Sequence, residues 1–311
     1  MKPRPRKLLS LAALAIVLLV GLSLFGWFHR EQPWQEATGW NLIDPELRAP
    51  MLGVSAMDES QPSIAWLGHA GFLIQWHGSR LLLDPNLGDH CTVSARFMER
   101  TVTPQELGHI DAALVSHAHF DHMHLDTLCA IPRLDTLILP DGSASFATRV
   151  QQKGARLQSL SLHESCVVGS LTVTAVQAAH NGHRYHPWAS RHLAVGYVIS
   201  DGATSIYFSG DTSFKNDFVG IRDRYHPDIA ILAIGAYSPR IPLKRHHMSP
   251  DEAVEAALML GSATVIPCHF GTFRLSVDAP DDALPRFATA AARKNLSWSM
   301  PTLLMRAEIA P

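Results

Sequence analysis

No Cys-x-x-Cys pair occurs in this chain, whose four cysteines (Cys91, Cys129, Cys166 and Cys268) lie far apart. That spacing excludes a zinc knuckle and a dense disulfide framework; an exported domain would permit a structural disulfide, but nothing in the spacing requires one. Charge excess is missing too: 26 Lys and Arg stand against 28 Asp and Glu, a net charge of −2, and no basic tract follows the first few residues. Without a positive field there is nothing to gather a polyanion, so nucleic acid is not expected as a partner. Internal repeats and low-complexity tracts are also absent. What remains, at 47% hydrophobic and 17% charged residues over 311 positions, is ordinary globular composition with ample material for a core.

The one long uncharged apolar run spans residues 8–28. As a helix of about twenty residues rising roughly 1.5 Å each, it would match a hydrocarbon core about 30 Å thick. Lys2, Arg4, Arg6 and Lys7 precede it, so the positive-inside bias would keep the N-terminus cytoplasmic and carry the rest to the periplasmic side. Its exit, Ser23-Leu24-Phe25-Gly26-Trp27, makes a poor cleavage site, which favours a retained single-pass membrane anchor over a cleaved signal segment. The expected organisation is an anchor over 1–30, a polar, proline-punctuated linker over 31–61 and a catalytic domain over 62–311.

Within that domain, short apolar runs divided by turn residues predict strands over 63–67, 72–76, 80–83, 112–115, 136–139, 171–175, 194–199, 205–208, 229–234 and 264–267. Helices are expected over 143–152, from Ser249 to Leu260 and around 288–293. The clearest start is Ser249-Pro250-Asp251-Glu252, with a capping Ser, a Pro suited to the first turn and a Glu three residues on. Strands with interspersed helices indicate a layered α/β protein.

Histidine is in surplus: 18 against 5 Tyr and 7 Trp. The densest group is Ser116-His117-Ala118-His119-Phe120-Asp121-His122-Met123-His124, directly after an apolar strand. Two residues apart, His117 and His119 project to one side of an extended segment, while Asp121 and His122 can turn toward a second point. Buried imidazoles and a carboxylate this close together need a shared partner, and a metal ion supplies one. The bland alternative is a solvated histidine-rich loop.

His117, His119, Asp121 and His122 match H-x-H-x-D-H, and in this the chain resembles the metallo-β-lactamase superfamily. The likeness spans roughly 62–274. It continues through His180 in Ala178-Ala179-His180, Asp211 in Phe208-Ser209-Gly210-Asp211-Thr212 and His269 in Pro267-Cys268-His269-Phe270-Gly271. The resemblance implies an αββα sandwich of two mixed sheets flanked by helices, with two divalent metal ions: zinc by default, iron or manganese as alternatives. It implies that His117, His119 and His180 hold one ion, that Asp121, His122 and His269 hold the other, and that Asp211 bridges them. His183, His186 and His192 contest the place of His180; His124 and His163 read as bystanders. Asp84 in Leu83-Asp84-Pro85 is either a partner for a ligand imidazole or a turn former.

Within the superfamily, four stretches resemble the N-acylphosphatidylethanolamine-hydrolysing phospholipase D branch and its bacterial relatives, which are also similar to ascorbate-phosphate lactonases. They are Trp66-Leu67-Gly68-His69-Ala70, Leu83-Asp84-Pro85, the run from Ile234 to Arg240 with His247 to Ala253 beyond it, and His269 to Phe273. Ser238 stands where that branch usually has Glu. The resemblance nominates His247 for substrate binding or proton transfer, with Tyr237 and Arg240 as further substrate contacts, and Asp121 for orienting a water that two metals activate. The implied reaction is hydrolysis of a phospholipid phosphodiester. A lactonase or small-ester hydrolase uses the same site, and a tethered metal-binding scaffold without turnover is the non-enzymatic alternative.

Overall fold

A computed structural model describes residues 62–98, 100, 102–184 and 193–300. Two six-stranded mixed sheets form the middle of the molecule. The first runs β1 (Ser63–Gly68), β2 (Gly71–Trp76), β3 (Ser79–Leu83), β6 (His109–Leu114), β7 (Arg133–Pro140), β8 (Arg156–Leu160). The second runs β14 (Thr264–Cys268), β13 (Ile229–Ala233), β12 (Ser205–Phe208), β11 (Leu193–Ser200), β10 (Leu171–Asn181), β9 (Ser165–Val168). A two-residue hairpin, β4 (His90–Cys91) with β5 (Ser94–Ala95), stands apart.

Both sheets follow one plan. An antiparallel meander, β1–β3 in the first and β9–β12 in the second, leads into parallel strands: β3, β6, β7 and β8, and then β12, β13 and β14. Crossovers between the parallel strands carry helices, and side chains at the carboxyl ends of those strands are where such sheets place ligands.

The continuous Leu81-Leu82-Leu83 run shows how the layers are filled. Leu81 and Leu83 enter a core shared with Phe72, Ile74 and residues of the second sheet such as Tyr197 and Phe208. Leu82 points the other way, into a core closed by Leu128 of α1 (Leu125–Ala130) and Val150 of α2 (Thr148–Gln152). A strand covered on both faces needs no polar alternation, which is why this run is unbroken. Outside the second sheet lie α4 (Pro250–Leu260) and α5 (Ala283–Lys294), which bury Val254, Ala257 and Phe287 in the shared core. The remaining long crossover carries α3 (Phe218–Tyr225).

Helix α4 begins at Ser249 with the complete capping box expected from Ser249-Pro250-Asp251-Glu252. One local expectation changes. The segment over 143–152 is a 3-10 turn, Ala144–Phe146, followed by α2, because the backbone leaves helical values at Ala147 (φ −101°, ψ 11°). The four cysteines are free thiols.

One larger expectation is corrected. Among the described residues no helix is long and apolar enough to cross a membrane, and the proposed anchor over 1–30 and linker over 31–61 lie outside the described residues. The single-pass placement with the domain on the periplasmic side is overturned on that finding.

Candidate metal centre

Most residues of the centre are delivered by segments that follow the ends of strands. After β6 the chain stays buried through Val115, Ser116 and His117. Asp84, just past β3, reaches across to hold this segment. It accepts hydrogen bonds from Ser116 N (2.6 Å), Ser116 Oγ (2.6 Å) and His122 Nδ1 (2.6 Å). It does so from a left-handed backbone, φ +35°, which Asp tolerates better than most residues. Because Ser116 Oγ donates to Asp84, His117 Nδ1 donates to Ser116 Oγ (2.9 Å). Asp84 thus sets both tautomers and leaves the two Nε2 atoms facing inward, as partners of a ligand imidazole do.

His180 lies within β10, not beyond its end, and its Nδ1 donates to the His246 carbonyl (2.9 Å). That leaves its Nε2 beside His119 Nδ1 (3.2 Å). Asp211 follows β12 behind Gly210, where a Cβ would sit 2.6 Å from that of Ser116; the strand ends can meet because no side chain is there. His269 follows β14 at φ +62°. Its carbonyl would lie 1.8 Å from a Cβ at position 235, so Gly235 is what admits the loop.

The donor atoms of His117, His119, His180 and Asp211 lie within 4.8 Å of one another, as do those of His69, Asp121, His122 and His269. Asp211 stands between the groups. Its Oδ2 is 3.8 Å from His117 Nε2, 3.8 Å from His180 Nε2 and 3.2 Å from His122 Nε2, while its Oδ1 is 3.1 Å from His269 Nε2. Asp121 Oδ2 is 3.2 Å from His122 Nε2 and 3.3 Å from His269 Nε2. Despite these distances His122 Nε2, His269 Nε2 and Asp211 Oδ1 are buried with no hydrogen-bond partner. Buried polar atoms are seldom left so; crowded, unpaired nitrogen and carboxylate oxygen are a donor set that divalent ions accept.

Electrostatics divides the groups. Burial holds His117 and His180 well below the usual imidazole range and His119 below it. For His122 and His269 burial acts the same way, but Asp211 and Asp121 outweigh it; His122 is raised well above the usual value and His269 is pushed up to about 9. For Asp121 and Asp211 burial opposes ionisation, yet the adjacent His122 holds both well below the usual carboxylate range.

His247 joins a third cluster with Asp211 and His269, its Nδ1 3.8 Å from Asp211 Oδ2. Burial lowers its pKa to about 4. Tyr237 and Arg240 stand elsewhere. The Tyr237 hydroxyl donates to Asp282 and its ring lies under Arg286, inside the core. Arg240 pairs with Glu252 and donates to the His247 carbonyl (3.0 Å), touching the site through backbone alone. His183 joins none of the clusters found among the described residues, and His186 and His192 lie outside those residues. His124 caps α1 by accepting from Thr127 N. His163 is exposed beside Tyr225.

One residue of the centre was not nominated from the sequence: His69, whose Nε2 is 3.0 Å from Asp121 Oδ2. A lone histidine in a β-turn carries no ligand spacing, and its partner is 52 positions away.

A family model described as "Beta-lactamase superfamily domain" matches residues 79–270. The chain belongs to the metallo-β-lactamase superfamily. It is 30% identical over 245 residues to the N-acyl-phosphatidylethanolamine-hydrolyzing phospholipase D 1 of Caenorhabditis elegans, covering 72% of this chain and 68% of that protein. A metal-dependent hydrolase of Solibacter usitatus is 32% identical over 231 residues, 72% of this chain and 91% of that one. A metallo hydrolase structure from Ignicoccus hospitalis superposes with a TM-score of 0.55 at 18% identity, covering 77% of this chain and 94% of that one, a likeness of fold alone. This member of the superfamily is accordingly a metal-dependent hydrolase.

Proposed function

We propose that the protein is a binuclear phosphodiesterase that hydrolyses N-acylphosphatidylethanolamine-type phospholipids to phosphatidate and an N-acylethanolamine. The observation that supports the binuclear reading is the position of Asp211, whose Oδ2 lies 3.8 Å from both His117 Nε2 and His180 Nε2 and 3.2 Å from His122 Nε2, while its Oδ1 lies 3.1 Å from His269 Nε2. His117, His119 and His180 would hold one ion, Asp121, His122 and His269 the other, with Asp211 shared. Zinc is the proposed metal, since imidazole and carboxylate donors suit its catalytic sites. When bound, two such ions acidify a water and stabilise charge on phosphoryl oxygens.

The residues around them have separate tasks. Asp121, kept ionised by His122, can accept a hydrogen bond from the attacking water and so aim it. His247 is neutral at neutral pH because burial depresses it; its role is to donate a hydrogen bond that places the departing alcohol oxygen. Beside His69 and His269 lies a small cleft of mixed lining, with Phe270, Phe273, Leu275 and Pro280 alongside Arg274, Ser276 and Asp278. The similarity to the nematode phospholipase supports the same substrate class.

The test is to incubate zinc-loaded protein with N-acylphosphatidylethanolamine in mixed micelles and measure phosphatidate and N-acylethanolamine. Both products should appear in equal amounts. Rapid opening of lactones with no phosphatidate would replace this substrate assignment with a lactonase.

A further inference from the structure

We infer that His69 is a positioning residue for the metal centre: its Nε2–H holds the Asp121 carboxylate in its ligating orientation, and its backbone holds the loop that carries His269. The inference rests on the reading of Asp121, His122 and His269 as an ion site.

His69 is 1% exposed, in the turn between β1 and β2, with a left-handed backbone at φ +53°. Such a conformation is unfavourable for a residue with a Cβ and persists where surroundings impose it, often at functional sites. Here the surroundings are explicit. The His69 N–H donates to Thr272 Oγ1 (2.7 Å), and its carbonyl accepts from Trp66 Nε1 (2.8 Å) and from His269 N (2.9 Å). One residue therefore binds the backbone of one ligand, His269, and the side chain of another, Asp121.

The side-chain bond has a defined sense. A carboxylate oxygen accepts, so the nitrogen 3.0 Å away, Nε2, carries the proton. This separates His69 from its neighbours. His122 Nε2 and His269 Nε2 are 3.2 and 3.3 Å from the same Asp121 oxygen but make no hydrogen bond; His69 Nε2 makes one. At this site His122 Nε2 and His269 Nε2 are left for a cation, and His69 Nε2 is engaged in aiming the carboxylate. Carboxylate ligands are commonly braced this way, and loss of the brace typically costs about 10–100-fold in metal affinity or activity.

The experiment titrates cobalt(II) into the metal-free full chain and into His69→Gln and His69→Ala variants, following bound equivalents and the visible absorption bands. Wild type is expected to take up two equivalents. In His69→Ala the first should bind as in wild type, showing an intact fold, while the second weakens by about 10–100-fold with shifted bands. His69→Gln, whose amide nitrogen restores a donor near Nε2, should recover most of that loss. Unchanged second-ion binding in His69→Ala would overturn the inference. Equal loss in both variants, with bands indicating one nitrogen ligand fewer, would overturn it in favour of direct ligation. A wild-type chain that takes up no second equivalent would overturn the ion-site reading and this inference together, a result distinct from either variant outcome.

Discussion

His117, His119 and His180 face Asp211 from one side, His122 and His269 from the other, and the two sets differ less in composition than in company. In the first set burial dominates even though Asp211 raises each imidazole and Asp121 raises His119 as well: all three are held below their usual range. In the second, Asp211 and Asp121 act on both imidazoles and Asp84 on His122 as well, and both are raised despite burial. The same ligand type is thus prepared in two states. One set is deprotonated and ready for a cation; the other holds protons that a cation must displace, because a ligating imidazole has to be neutral.

The largest expected effect comes from the residue both sets share. Asp211→Ala should lower turnover by more than about 100-fold, beyond the range for losing an outer partner, and should reduce bound metal at both positions; metal analysis alongside the phosphodiesterase assay checks this. Loss of one ion with the other fully retained would mean that the sets do not share the carboxylate.

Asp84→Asn comes next. It disturbs the bond that fixes His122, so the second ion should weaken by about 10–100-fold, and more than the first, as read by competition with a chelator. Equal weakening would place Asp84's main role at Ser116, where it also holds the first set.

The pH dependence sharpens the contrast. His269 sits at about 9 in the metal-free protein, so at pH 7 to 8 it is protonated, and second-ion affinity should fall by roughly tenfold per pH unit for each proton released as pH drops below about 9. The first set is already neutral there and should be indifferent over the same window. Calorimetric titration in buffers of different ionisation enthalpy reads the protons released at each step; equal release at both would remove the distinction.

Tyr237→Phe should have the smallest effect. It removes the hydrogen bond from the buried Tyr237 to the half-exposed Asp282, costing about 1 kcal/mol in a denaturant melt and leaving turnover unchanged. A large drop in turnover would return Tyr237 to the substrate-contacting role its sequence neighbourhood implied.

These residues also mark how much of the molecule is legible in its sequence. His117, His119, Asp121 and His122 stand out because four donors within six positions after an apolar strand are costly to bury without a cation, and α4 stands out by its capping box. Asp84 stayed ambiguous between turn and partner because the groups that donate to it lie 32 and 38 positions away. His69 carried no spacing at all; tertiary pairing alone gives it meaning. Tyr237 and Arg240 were nominated by the family resemblance of their stretch, and a likeness of sequence does not specify which way a side chain turns.

Elements were missed for comparable reasons. Arg156–Leu160 is a strand despite a polar composition because β7 supplies its ladder. Leu125–Ala130 is a short helix capped by a histidine, outside the usual Ser, Thr, Asp and Asn signal. The apolar run over 8–28 has a strong hydropathy pattern but lies outside the described residues, among which no helix is long and apolar enough to span a membrane.

The most direct test is anomalous diffraction from crystals of the zinc-loaded protein, recorded on both sides of the zinc absorption edge. Two peaks are expected, one among His117, His119 and His180 and one among Asp121, His122 and His269, with Asp211 between them. A single peak, or peaks away from Asp211, would contradict the account.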